Sequence, residues 1–219
     1  MNMKKETGKR YVLAGCLLAA FAAWTIAVGT IDVQTIGPQG TAVGFATVNR
    51  FVHNLTGVHL LLYVITDWLG LVPFCIAAGF GIFGLLQWIH RKHFWKVDAS
   101  ILLLGVFYLV VMSVYVFFEL VVVNYRPLLI DGRLEASYPS STTMLALCIM
   151  PTALMQLNGR VRNAAGKRCV NFVIHVFTLF MVIGRLLSGV HWLSDIVGGI
   201  LLSGGLVMLY AAVSGWKVK

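Results

Sequence analysis

Apolar residues fall in long unbroken runs, separated by short polar stretches that carry most of the Lys, Arg, Pro and Asn. Six runs stand out, at about residues 11–31, 66–89, 99–123, 141–157, 169–187 and 192–214. A helix needs roughly 17–25 residues to cross the hydrocarbon core of a bilayer. The pattern therefore predicts an all-α, polytopic membrane protein, residues 1–219 forming one domain built as a six-helix transmembrane bundle. The first run is longer than the core of a signal peptide and lacks a small-residue cleavage site, so it reads as a retained helix. Between the first two runs lies a longer segment with "GPQG" and then "FATVNRFVHNLTGVHLLLY". That segment is partly amphipathic and predicts a short helix along the interface.

Composition agrees. The chain is 59% hydrophobic and 11% charged, whereas soluble domains carry about 25% charged residues. The net charge of +9 would suit nucleic acid, but its distribution excludes that reading. Thirteen of the 17 basic residues lie at the N-terminus (Lys4, Lys5, Lys9, Arg10), after run two (Arg91, Lys92, Lys96), after run four (Arg160, Arg162, Lys167, Arg168) and at the C-terminus (Lys217, Lys219). In a six-span chain these all share one side, and basic loops stay cytoplasmic. Both termini are then cytoplasmic. Arg50, Arg126, Arg133 and Arg185 are left on the opposite side. Cys16, Cys75, Cys148 and Cys169 lie in or beside apolar runs without metal-ligand spacing.

The candidate chemistry gathers on that opposite side. One stretch is "ELVVVNYRPLLIDGRLEASYPSSTTM", residues 119–144, and the other is "GRLLSGVHWLSD", residues 184–195. Ionisable residues at membrane depth are costly and are functional candidates. His191 and Asp195 stand four apart, one helical turn, so the carboxylate is expected to hold one ring nitrogen and leave the other free to attack. Arg185 and Arg126 supply guanidinium forks suited to phosphate oxygens. Pro139 ends any upstream helix, and Ser140 is a candidate N-cap. Ser140, Ser141 and Thr142 then open a helix whose first amides lack partners, a ready anion site. Taken singly these are ordinary features, such as a cap, an interhelical hydrogen bond or an interfacial anchor. Their convergence at three helix ends points to a phosphate site. A loop residue such as Ser137 is expected to be open to an impermeant reagent.

In these motifs the chain resembles the type 2 phosphatidic acid phosphatase family, whose three motifs are Lys-x6-Arg-Pro, Pro-Ser-Gly-His and Ser-Arg-x5-His-x3-Asp. The resemblance implies a six-helix membrane lipid phosphatase that needs no metal and no cofactor. It makes His191 the nucleophile of a phosphohistidine intermediate and Asp195 its support. Arg126 and Arg185, with the amides near Ser140 and Ser141, would bind the phosphoryl group. The implied substrates are lipid phosphates such as phosphatidic acid or phosphatidylglycerophosphate, or a polyprenyl diphosphate such as undecaprenyl diphosphate. The site would face the extracytoplasmic side of a bacterial cytoplasmic membrane. Three positions depart from the family: Glu119 replaces the first-motif lysine, Thr142 the second-motif histidine and Gly184 the third-motif serine. The histidine would protonate the leaving oxygen. His53, His59, Glu119 or Glu135 could take its place, although Glu119 is expected chiefly to pair with Arg126. A weak relative that only binds a phospholipid headgroup is the alternative.

Overall fold

The computed structural model describes residues 2–161 and 163–215 of the chain. Of the basic residues used to orient the chain, Arg162, Lys217 and Lys219 lie outside the described residues. The described residues form eight α-helices: α1 (Asn2–Thr30), α2 (Ala46–Thr56), α3 (Leu60–Leu69), α4 (Leu71–Arg91), α5 (Ala99–Leu120), α6 (Ser141–Arg160), α7 (Ala164–Leu187) and α8 (Leu193–Val213).

Among the described residues, five stretches are long and apolar enough to cross a membrane: residues 5–30, 60–91, 99–120, 164–187 and 193–213. The second begins earlier than predicted. Gly70 keeps helical torsions (φ −59°, ψ −20°), so α3 runs on into α4. The predicted fourth span, α6, is 20 residues long but is not among these five. It carries Ser, Thr, Gln, Asn and Arg, and it packs against α4, α5, α7 and α8. A helix ringed by protein buries its surface against side chains rather than lipid, so it needs less hydropathy than its neighbours. Leu104, Phe107 and Val111 of α5, Met144, Leu145, Cys148 and Ile149 of α6, and Leu202, Leu206, Val207 and Tyr210 of α8 form the core.

The amphipathic segment does contain a helix, α2, which ends at Gly57 with φ +68°. It reaches the start of α8 through Asn49. Its Nδ2 donates to Ser194 Oγ at 2.9 Å, and its Oδ1 accepts from Ser194 N at 3.0 Å. This clamp fixes the first turn of α8, beside Asp195. At the other end of the bundle, Asp98 ties α4 and α5 through Gln87 (2.8 Å) and Arg91 (2.9 Å).

Candidate active site

The link from α5 to α6, residues 121–140, folds back over one end of the bundle. Asp131 and Gly132 both have positive φ, +50° and +75°, and the chain reverses there with Ile130 bridged to Arg133. Asp-Gly between apolar flanks is a strong hairpin signal, because both central residues tolerate the left-handed region. The reversal pairs Arg126 N with Glu135 O at 3.0 Å and Ser137 N with Asn124 O at 2.9 Å. Gly198 of α8 lets the adjacent Tyr138 ring approach: a Cβ there would stand 2.6 Å from Cε2.

Ser137 and Asn124 are thereby delivered to Asp195. Ser137 Oγ donates to Asp195 Oδ2 at 2.5 Å, and Asn124 Nδ2 donates to Oδ1 at 3.2 Å. The backbone amide of Trp192 also donates to Oδ2, at 2.9 Å. His191 Nδ1 lies 3.0 Å from Ser137 Oγ but 4.0 Å from Asp195 Oδ2. The expected direct contact of His191 with Asp195 is thus corrected: a hydroxyl stands between them. Proton counting then fixes the tautomer. A serine has one hydroxyl proton, and Ser137 gives it to the carboxylate. Ser137 Oγ must therefore accept from His191, whose Nδ1 carries the ring proton. Nε2 is left with its lone pair, and it is buried with no partner. Burial, and then the charges of Arg185 and Arg126, hold the His191 pKa well below the usual 6.5. The ring is neutral at pH 7.

The two guanidinium groups flank the Tyr63 ring of α3, with Arg185 Cζ 5.2 Å and Arg126 Cζ 6.0 Å from its centroid. Arg126 pairs with Glu135 at 3.1 Å, yet its Nε and Nη1 are buried without partners, as is Nε of Arg185. The expected pairing of Arg126 with Glu119 is therefore corrected, because the hairpin carries Glu135 to the guanidinium instead. Buried unpaired donors are rare in folded proteins. Here three guanidinium nitrogens of Arg126 and Arg185 are unpaired, which suits an anion, while the lone pair on His191 Nε2 suits attack on it. Beside the two arginines opens a cavity of about 710 Å³, walled by Asp67, Gly70, Tyr115, Glu119, Arg126, Glu135, Ser141, Thr142 and Arg185 among others; His191 lies behind them and is not in its lining.

The remaining candidates are placed as follows. Ser140 takes the N-cap position of α6 but its side chain makes no cap bond. Its amide donates to the Asp195 carbonyl at 3.1 Å, so that amide is not free for phosphate, while its hydroxyl is buried and unpartnered. Ser141 and Thr142 reach the cavity from the first turn of α6. His53 packs against Trp192 at 5.5 Å, and the His59 ring bonds the Thr56 carbonyl at 2.9 Å. Neither histidine lines the cavity. Ser137 is 2% exposed, which corrects its expected accessibility: the hairpin folds it inward. Sequence reasoning missed Ser137, Asn124 and Asp67. The Asp131-Gly132 hairpin signal would have brought the first two together. Asp67 sits in an apolar run with no motif around it.

Comparison with known proteins bears on the family and the fold. The PAP2 superfamily model matches residues 117–219, which contain His191, Asp195, Arg126 and Arg185. The crystal structure of the first transmembrane PAP2-type phosphatidylglycerolphosphate phosphatase from Bacillus subtilis superposes with a TM-score of 0.61. The two are 20% identical, and the match covers 92% of this chain and 96% of that one, so the overall fold is shared. No curated protein sequence matches the chain.

Proposed function

Because its residues 117–219 belong to the PAP2 superfamily, we propose that this chain is a metal-independent phosphohydrolase of membrane lipids acting through a phosphohistidine. One observation carries the reading: a buried, unpartnered His191 Nε2, oriented through Nδ1, beside two arginines with unpaired N–H groups. In the first step Nε2 attacks phosphorus and the bond from phosphorus to the leaving oxygen breaks. Arg126 and Arg185 neutralise the equatorial oxygens. Positive charge grows on the imidazole as the new bond forms, and the chain Nδ1–H, Ser137, Asp195 stabilises it. Water then attacks the phosphohistidine and releases inorganic phosphate.

The substrate class is a lipid phosphate or polyprenyl diphosphate. The cavity opens beside helix ends, where a headgroup can enter while the tail stays in the bilayer. Phosphate release by the purified full chain tests the reading, with undecaprenyl diphosphate, phosphatidic acid and phosphatidylglycerophosphate as substrates. Release from at least one is expected. Lipid binding without any release would favour the headgroup binder, which the Thr142 and Glu119 departures support.

In this reading α6 also crosses the membrane, as the fourth of six spans, both termini are cytoplasmic, and the site faces outward across a bacterial cytoplasmic membrane. Arg133 and Asn163 are both exposed and lie on opposite sides in that topology. With the four native cysteines replaced by alanine, Arg133→Cys in intact cells should react with an impermeant maleimide and Asn163→Cys should not. The reverse pattern would invert the topology.

A further inference from the structure

Three residues that meet Arg185 come from a part of the chain outside the matched segment. Tyr63, Thr66 and Asp67 stand at i, i+3 and i+4 on α3, a spacing that puts them on one helix face. All three meet the same guanidinium. Thr66 Oγ1 lies 3.4 Å from Nη1, Asp67 Oδ1 lies 3.6 Å from Nη1, and the Tyr63 ring lies 5.2 Å from Cζ.

That approach depends on Gly184, the neighbour of Arg185. A Cβ at Gly184 would stand 2.8 Å from Thr66 Cγ2 and 3.7 Å from Leu62 Cδ1. The first distance is closer than packed carbon atoms allow, so a serine there would displace the Thr66 side chain that reaches Arg185. The departure at Gly184 and the presence of α3 beside Arg185 thus have one steric explanation.

The contacts hold the guanidinium without saturating it. A buried charge needs a close partner, and the Arg185 side chain is 1% exposed while that of Asp67 is 57% exposed. Both polar contacts are long, and Nε has no partner at all. A phosphoryl group offers several oxygens at shorter range and can bind a guanidinium bidentately. Asp67 lines the same cavity and has solvent to turn towards.

We propose that α3 is a wall of the phosphate site, in which Thr66 and Tyr63 are positioning residues for Arg185 and Asp67 is a resident anion that incoming phosphate displaces. The proposal rests on the phosphatase reading for its ligand but makes a separate claim, that the Asp67 carboxylate competes with phosphate. Removing that competitor frees the guanidinium and lifts repulsion, whereas loosening the positioning residues weakens the site.

The test is calorimetric titration of the detergent-purified full chain with inorganic phosphate, which needs no turnover. Asp67→Asn should tighten phosphate binding by about three- to tenfold, a partly exposed ion pair and a like-charge contact being lifted together. Thr66→Val should weaken it by about two- to fivefold, less than a full hydrogen bond to a charged group, because the 3.4 Å contact is long and acts on phosphate only through the placement of Arg185. Gly184→Ser should also weaken it. A purely structural Asp67 would give weaker or unchanged binding in Asp67→Asn, and either result overturns the proposal. Asp67→Ser, which also removes the charge, must reproduce the tightening. No phosphate binding by the wild-type chain would likewise overturn it. Lipid phosphate release, measured separately, decides the phosphatase reading, so the two failures are distinguishable.

Discussion

Replacing His191 with alanine is expected to reduce lipid phosphate hydrolysis to background. The loss should be at least about 10⁴-fold, because binding and electrostatics alone remain once the nucleophile is gone. His191 is 3% exposed, so His191→Gln, closer in volume, controls for packing, and thermal unfolding checks both. Brief exposure of the wild-type chain to labelled substrate should leave acid-labile label that both variants lack. Asp195→Asn should cost about 10²–10⁴-fold, since an amide gives less support to the imidazolium. Ser137→Ala should cost less, about 5- to 100-fold in kcat, the penalty of leaving a buried hydrogen-bonded group unsatisfied. A direct contact between His191 and Asp195 would make Ser137→Ala nearly silent, so this ranking separates the two geometries. The pH profile carries the same information. Attack needs neutral His191, whose pKa lies well below 6.5 in the folded chain. The acid limb of kcat/KM should therefore fall below pH 6.5. Stability should change in a related window. The unfolded histidine takes up a proton near its ordinary pKa and the folded one resists, so the contribution present above about pH 6.5 is lost as pH falls. An acid limb at or above pH 6.5 assigned to His191 would contradict the burial of its ring beside two arginines.

Much of the bundle was legible because a bilayer forces a coarse pattern. A spanning helix must satisfy its own backbone and present apolar side chains to lipid, and α1, α4, α5, α7 and α8 obey this. The start of the second stretch was missed because Leu60–Tyr63 was read with the partly amphipathic segment before it, although the backbone remains helical across Gly70. α6 was found by length, but its lower hydropathy records burial among helices, which no single run can reveal. At the site, His191 and Asp195 were legible by spacing within one segment. The contact between them was not. Ser137 is 54 residues from His191 in sequence, and only the hairpin through Asp131 and Gly132 brings it between them. The same hairpin explains why Arg126 meets Glu135 rather than Glu119. Asp67 was hidden for a different reason: its role depends on α3 docking against Gly184, and sequence spacing carries no record of that approach.

Diphosphate substrates are expected to be hydrolysed much faster than monophosphates, because Thr142 stands where the resemblance calls for a proton donor. Thr142 lies on the first turn of α6 and lines the cavity together with Arg126 and Arg185. A threonine hydroxyl is too weak an acid to protonate a leaving alkoxide. General acid catalysis contributes roughly 10²–10⁴-fold, but its value depends on what departs. An alkoxide from a lipid monoester is about as basic as hydroxide, whose parent water has a pKa of about 15.7. A phosphate monoester leaving from a diphosphate is far weaker as a base, with a second pKa near about 6. The first needs a proton as it leaves and the second does not. Thr142→His should therefore raise kcat on phosphatidic acid by about 10- to 100-fold, part of the usual general-acid contribution, and raise kcat on undecaprenyl diphosphate far less. The cavity of about 710 Å³ has room for the imidazole. Equal stimulation of both substrates, or none, would mean that another group already donates the proton. Glu119 is then the first to examine through Glu119→Gln, because it lines the cavity while His53 and His59 do not. A wild-type preference for monophosphates would reverse the sign of the leaving-group argument and refute it.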